Sequence, residues 1–267
     1  MPPDVTVERM RNELSARGIA PDQPLTPELL FPIDQFHFHG IDAVRAAAGL
    51  IGLGREHRVL EIGSGLGGPA RYLAHTVGCQ VTALELRQEL HDAALDLTRR
   101  VRLNGRVSHL RGDALTQPFE VGRFDAVLSW LAVHQIPERP HLVERMGQAV
   151  RQGGRIYIED LTIRDLSSRE EYMTMRDLLK AATLTDAEDF AQEIEDAGFA
   201  EIDMTDMTPS WAAFCRARVT AFAENRERHL RVHGEELTAR LEQYFATVER
   251  LFTSGTLGGI RISAKNP

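Results

Sequence analysis

Apolar positions along this chain follow two rhythms. Residues 5–18 read as a short helix, and over residues 40–53 Ile41, Val44, Ala47, Ala48 and Ile51 recur at helical spacing until Gly52 and Gly54 stop it. Between them Pro21, Pro24, Pro27 and Pro32 punctuate an extended arm. From Arg58 to Asp160 short apolar runs (59–62, 80–84, 107–110, 124–129 and 155–158) alternate with helical segments. Strands alternating with helices predict βαβ units, hence an α/β fold with a mostly parallel sheet and helices on both faces. Two helical stretches, 171–181 and 187–198, interrupt the rhythm where a lid over the strand ends would sit. Strands at 201–204 and 258–263, separated by long amphipathic helices over 212–252, complete the chain. The expected organisation is an arm (1–39), a ligand-binding core (40–160), a substrate-facing helical lid (161–198) and a segment that completes the sheet (199–267).

Composition narrows the function classes. The 267 residues include 43% hydrophobic and 26% charged positions, enough to build a folded core. A net charge of −8 opposes a nucleic-acid partner, which needs a concentrated basic face. No run approaches a membrane span, and Asp4, Glu8, Arg9, Arg11 and Glu13 stand where a secretory leader needs apolar residues, so a cytoplasmic protein is expected. Two isolated cysteines, Cys79 and Cys215, indicate neither a disulfide framework nor a zinc site.

The segment from Arg58 to Pro69 carries the most chemistry. A strand runs into Gly63-Ser64-Gly65-Leu66-Gly67-Gly68, and Pro69 suits the first turn of the following helix. Such a loop lets a ligand approach backbone N–H groups at a helix amino end. Gly63-x-Gly65-x-x-Gly68 also satisfies the dinucleotide fingerprint. Three carboxylates sharpen the reading. Glu85 ends the second apolar run, where it can accept both hydroxyls of a ribose. Asp113, in Arg111-Gly112-Asp113-Ala114, follows the third run and can take an adenine amino group. Glu61, two residues before Gly63, would crowd a pyrophosphate but suits a ligand bearing an ammonium and a sulfonium. These acids favour S-adenosylmethionine over NAD.

Glu61 to Gly68, Glu85, Gly112-Asp113-Ala114 and Phe124-Asp125-Ala126-Val127-Leu128-Ser129 resemble the ordered motifs of class I S-adenosylmethionine-dependent methyltransferases. Within that family the stretch from Phe36 to Asp160 is similar to the small-molecule branch of phosphoethanolamine and sarcosine/dimethylglycine methyltransferases, most closely at Gly67-Gly68-Pro69-Ala70-Arg71-Tyr72-Leu73. The resemblance implies a Rossmann-like sheet of seven strands with the last antiparallel. It also implies a cofactor set of Gln35, Glu61, Gly63, Ser64, Gly65, Glu85, Leu86, Asp113, Ala114, Ser129 and Trp130. Gln35 belongs to the arm that closes over the cofactor in this branch, and His134 matches the histidine that removes a proton in the phosphoethanolamine enzymes. Departures affect the acceptor: Trp130 replaces an acidic residue of the amine-methylating relatives, and Ala182 and Leu161 stand where the phosphobase enzymes use tyrosines.

The expected function is methyl transfer to N or O of a small metabolite, aligned for in-line displacement, with His134 as base. Carbon methylation is the alternative. A nicotinamide-dependent oxidoreductase and a cofactor-binding subunit without turnover are the other readings. Candidate acceptor contacts are His37, Trp130, Asp160, Arg176 and Trp211, with Lys180 beside them. His37 and His39 share a face of an extended chain, but no third ligand accompanies them, so no metal is expected. A monomer or a homodimer would serve.

Overall fold

The computed structural model describes residues 3–165 and 169–267. Helices α1 (Pro3–Ala16), α2 (Pro27–Leu30) and α3 (Ile41–Leu50) precede the sheet. The alternation then runs β1 (Arg58–Ile62), α4 (Gly68–Tyr72) with one wider helical turn to Val77, β2 (Gln80–Glu85), α5 (Gln88–Arg100), β3 (Val107–Arg111), β4 (Phe124–Trp130), α6 (Arg139–Ala149) and β5 (Val150–Ile163). The rest comprises α7 (Arg169–Leu178), α8 (Ala187–Asp196), β6 (Ala200–Asp206), α9 (Thr208–Glu224), α10 (Arg226–Thr253, broken at Gly234) and β7 (Leu257–Lys265).

The seven strands lie in the order β3-β2-β1-β4-β5-β7-β6. The first five pair in parallel, while β7 runs antiparallel to both β5 and β6. From β1 the chain moves first outward through β2 and β3, then crosses to β4 on the other side. The carboxyl ends of β1 and β4 therefore part into a crevice, where open α/β sheets bind ligands.

Alternate side chains of β1 serve opposite layers. Leu60 and Ile62 pack with Leu142, Val143 and Met146 of α6, whereas Val59 packs with Val44 and Ala47 of α3 and Ala70 of α4. Two elements depart from the sequence reading. Helix α8 was expected in the lid, but Phe190 and Ile194 are fully buried in the α6 layer, so it is a crossover helix covering the sheet. The expected boundary at residue 160 falls inside β5, which continues to Ile163 because it pairs with β7 along its whole second half. Among the described residues no helix is long and apolar enough to cross a membrane.

Candidate active site

A cleft of about 780 Å³ opens over the carboxyl ends of β1, β2 and β4. Its floor is the glycine loop. Gly63 has φ +71°, and a Cβ there would collide with the Cβ of Ala132. The loop is tied to the next strand by the Gly63 and Ser64 amides, which donate to the Leu84 carbonyl at 2.9 and 3.0 Å. Gly68 admits the arm, since a Cβ would stand 2.5 Å from the Asp34 carbonyl. The arm is pinned there by a fully enclosed ion pair, Arg71 to Asp34 at 2.8 Å.

Both oxygens of Glu85 are held by the backbone: Oε2 accepts from the Gly65 amide and Oε1 from the Arg87 amide, each at 2.8 Å. Burial raises its pKa, and those amides pull the other way. Glu61 is buried at the base of the cleft, with Oε2 lacking a hydrogen-bond partner among the described residues. Burial, assisted by the charges of Glu85 and Asp34, pushes its carboxyl up to about 8 against the pull of Arg71. The Ser64 hydroxyl, Gln35 Oε1 and Trp130 Nε1 are also enclosed and unpartnered among the described residues, and all three side chains line the cleft. Buried polar groups are normally paired, so four orphans in one cleft describe a surface shaped for a polar ligand. Asp113 is exposed at the rim, its Oδ1 accepting from the Leu115 amide at 2.9 Å, beside buried Ala114. Leu86, 54% exposed, belongs to the same wall.

On the opposite side the ring of His37 lies 5.7 Å from that of Trp130, and its Nε2–H donates to the Gly40 carbonyl at 2.9 Å. Burial lowers its pKa to about 4, so the ring is neutral at physiological pH. His134, on the turn after β4, is 5% exposed and borders the cleft. Its amide donates to Asp160 Oδ2 at 3.0 Å, its Nδ1 lies 2.5 Å from Asp160 Oδ1, and its Nε2 lies 3.2 Å from the Leu179 carbonyl. The His134 carbonyl in turn accepts from the Ala182 and Thr183 amides. Both ring nitrogens thus face acceptors: the side chain joins Leu179 to Asp160 of β5, while the backbone carbonyl holds Ala182 and Thr183.

Four expected contacts stand elsewhere. Ser129 is fully buried and donates to the Ile62 carbonyl at 3.0 Å, joining β4 to β1 instead of facing the cleft. Asp160 is also fully buried and is the partner of His134, so it does not line the cleft. Arg176 lies on the exposed side of α7 beside Asp177. Trp211 is wholly buried between Phe38 and Phe252, packed on Gly259. Other residues line the cleft unforeseen: Arg9 from α1, Arg218 from α9, and Phe245 and Val248 from α10, next to Phe214 of α9 and the expected Lys180. The Arg9 guanidinium stands 5.1 Å over the Phe36 ring, and that of Arg218 stands 4.5 Å over Phe245 and 5.3 Å over Phe214. Neither makes a salt bridge among the described residues, and Arg218 Nε is enclosed without a partner. The one-turn spacing of Phe214 and Arg218 was visible in the sequence, but not its orientation.

Residues 60–158 match the family model of a methyltransferase domain. The chain is 27% identical over 200 residues to glycine/sarcosine/dimethylglycine N-methyltransferase of Actinopolyspora halophila, covering 74% of this chain and 35% of the relative. It is 35% identical over 114 residues to the chloroplastic tocopherol O-methyltransferase of Arabidopsis thaliana, covering 43% of this chain and 33% of the relative. The chain therefore spans about a third of the length of each of these two curated relatives. Haemonchus contortus phosphoethanolamine N-methyltransferase 2, solved with phosphomonomethylethanolamine and S-adenosylhomocysteine, superposes with a TM-score of 0.81 at 22% identity, over 86% of this chain and 54% of that one. The superposition establishes the Rossmann-like methyltransferase fold.

Proposed function

We propose that this chain, built on the methyltransferase domain at residues 60–158, is an S-adenosylmethionine-dependent methyltransferase acting on N or O of a small metabolite. The observation that carries the reading is the pair of carboxylates on one floor: Glu85 fixed by two backbone amides, and Glu61 buried with an unpartnered oxygen. Glu85 would accept the ribose hydroxyls, Glu61 would face the ammonium, Gly63, Ser64 and Gly65 would line the amino-acid part, and Asp113, Ala114 and Leu86 would border the adenine. Gln35 and Trp130 would close the site from the arm and from β4. When bound, the cofactor supplies an electrophilic methyl group on a sulfonium. A dinucleotide fits less well, because a pyrophosphate on the glycine loop would meet the Glu61 carboxylate.

The chain's own contribution is to align the acceptor, exclude water and, for a protonated nucleophile, remove a proton. His134 borders the cleft for that last task, yet its Nε2 faces the Leu179 carbonyl. It serves as base only when residues 179–183 shift and release that nitrogen; latched, it orders the wall. The acceptor side combines Phe38, Leu161, Leu179, Phe214, Phe245 and Val248 with the cations of Arg9, Lys180 and Arg218. Apolar walls with unpaired guanidiniums suit an acceptor with an apolar body and an anionic group. A simple cationic amine would meet like charge there. Carbon methylation remains the second reading, since an apolar chamber would serve it equally.

The test is isothermal titration with S-adenosylmethionine and S-adenosylhomocysteine, using NADH as control. Saturable binding of the two sulfur compounds, lost in Glu85→Ala, is expected. Binding of NADH alone would sink the reading.

A further inference from the structure

Outside the cleft, α1 and the first half of α10 meet at three metal-ligating side chains: Glu13, His229 and His233. His229 and His233 are one turn apart on the same face, with ring planes 11° from parallel and centroids 5.8 Å apart. His229 is held on its other side by stacking on Phe222 at 4.0 Å. The His233 side chain is completely enclosed, and neither of its ring nitrogens has a hydrogen-bond partner among the described residues. His229 Nδ1 is enclosed and unpartnered in the same way. The Glu13 side chain, 6% exposed, brings Oε1 to 3.3 Å from His233 Nε2. Three imidazole nitrogens without hydrogen bonds therefore stand beside one buried carboxylate, and buried polar groups are normally paired.

One ligand atom from each residue lies within 4.8 Å of the others. Donors bound tetrahedrally at about 2.0–2.1 Å from one ion stand roughly 3.4 Å apart, so small side-chain rotations close the difference. Two imidazoles with one carboxylate select a borderline ion such as Zn²⁺ over Ca²⁺ or Mg²⁺, which prefer all-oxygen shells. In this structure Glu13 is occupied by Arg228, which donates to its two oxygens at 2.9 and 2.7 Å. Arg228 is 42% exposed and has solvent into which to turn. We propose that Glu13, His229 and His233 form a transition-metal site, suited to Zn²⁺, that joins α1 to α10 when Arg228 gives up the carboxylate. Because Arg9 lies one turn before Glu13 and lines the cleft, the ion would also fix the helix that presents this cation to the acceptor.

The experiment is titration of the chelator-treated, dialysed full chain with Zn²⁺ by calorimetry, together with thermal unfolding with and without the ion. One equivalent should bind and raise Tm. His229→Ala and Glu13→Gln should each weaken binding by at least about tenfold, while Arg228→Ala, which removes the cation hydrogen-bonded to Glu13 and leaves, among the described residues, only Arg17 at 3.9 Å, should tighten it. Glu13→Gln preserves acceptor oxygen for Arg228, so its effect is readable even if His233→Ala fails to fold. Substituting Co²⁺ should give the intense visible bands of a tetrahedral site, lost in His229→Ala. No saturable Zn²⁺ binding, or binding unaffected by His229→Ala and Glu13→Gln, would overturn the proposal, as would Arg228→Ala leaving the affinity unchanged. S-adenosylmethionine binding is measured separately, so failure here leaves the reading of the cleft standing.

Discussion

Glu61 couples the cleft to pH. Its carboxyl sits at about 8 in the folded protein against an ordinary 4.5, so between these values the folded state binds more protons than the unfolded one. Its contribution to stability therefore declines as pH rises through that window, and Glu61→Gln should flatten the decline in a series of denaturant titrations. A cationic ligand prefers the carboxylate, so cofactor affinity should rise with pH up to about 8 and then level off. At pH 7 binding should release nearly one proton, readable from calorimetry in two buffers of different ionisation enthalpy; equal heats in both would contradict the assignment. Gly63 is the other residue with no substitute. Alanine there needs a left-handed conformation and displaces Ala132, so Gly63→Ala should cost about 1–3 kcal/mol of stability and abolish cofactor binding. Unimpaired binding would show that the loop relaxes.

At the scale of elements, α8 and the arm behave oppositely. Helix α8 is capped by Asp186, whose Oδ1 accepts from the Asp189 amide at 2.8 Å, and it buries Phe190 under the guanidinium of Arg139. Phe190→Ala should lower stability by about 3–5 kcal/mol while leaving the Kd for S-adenosylmethionine unchanged in the folded fraction. A changed Kd with intact stability would restore α8 to the lid. The arm is held by the enclosed Asp34–Arg71 pair directly against Gly68. Asp34→Ala leaves a guanidinium buried without its partner, a loss of about 3–5 kcal/mol. Because the arm also carries Gln35, His37 and Phe38 into the cleft, the same change should speed cofactor release in stopped-flow measurements.

For the whole molecule, the side of the cleft proposed to take the acceptor is built where α1 meets α9 and α10. Arg9 from α1 meets Arg218 from α9 and Phe245 from α10 at the mouth of a cleft whose floor comes from the central strands. Arg218→Ala should raise KM for an anionic acceptor at least tenfold while sparing cofactor Kd, because the guanidinium lies among the Phe214 and Phe245 rings of the wall proposed to face the acceptor. An unchanged KM for anionic acceptors, or a raised cofactor Kd, would count against that placement.

The alternation of strands and helices, the glycine loop and the order of Glu61, Glu85 and Asp113 were readable from the chain alone. These features are local: a turn with positive φ needs glycine, and residues at strand ends reach the crevice whatever packs around them. The directions of Ser129 and Trp211 were not readable. A central strand is buried on both faces, so neither side announces itself by polarity, and a buried tryptophan on an amphipathic helix looks like one lining a pocket. Nor did the sequence disclose that Asp160 serves His134 or that Leu179 occupies its second nitrogen, because those bonds span 26 and 45 residues. Only the packed tertiary structure brings such groups together, since hydrogen bonding across distant segments leaves no periodic trace in the chain.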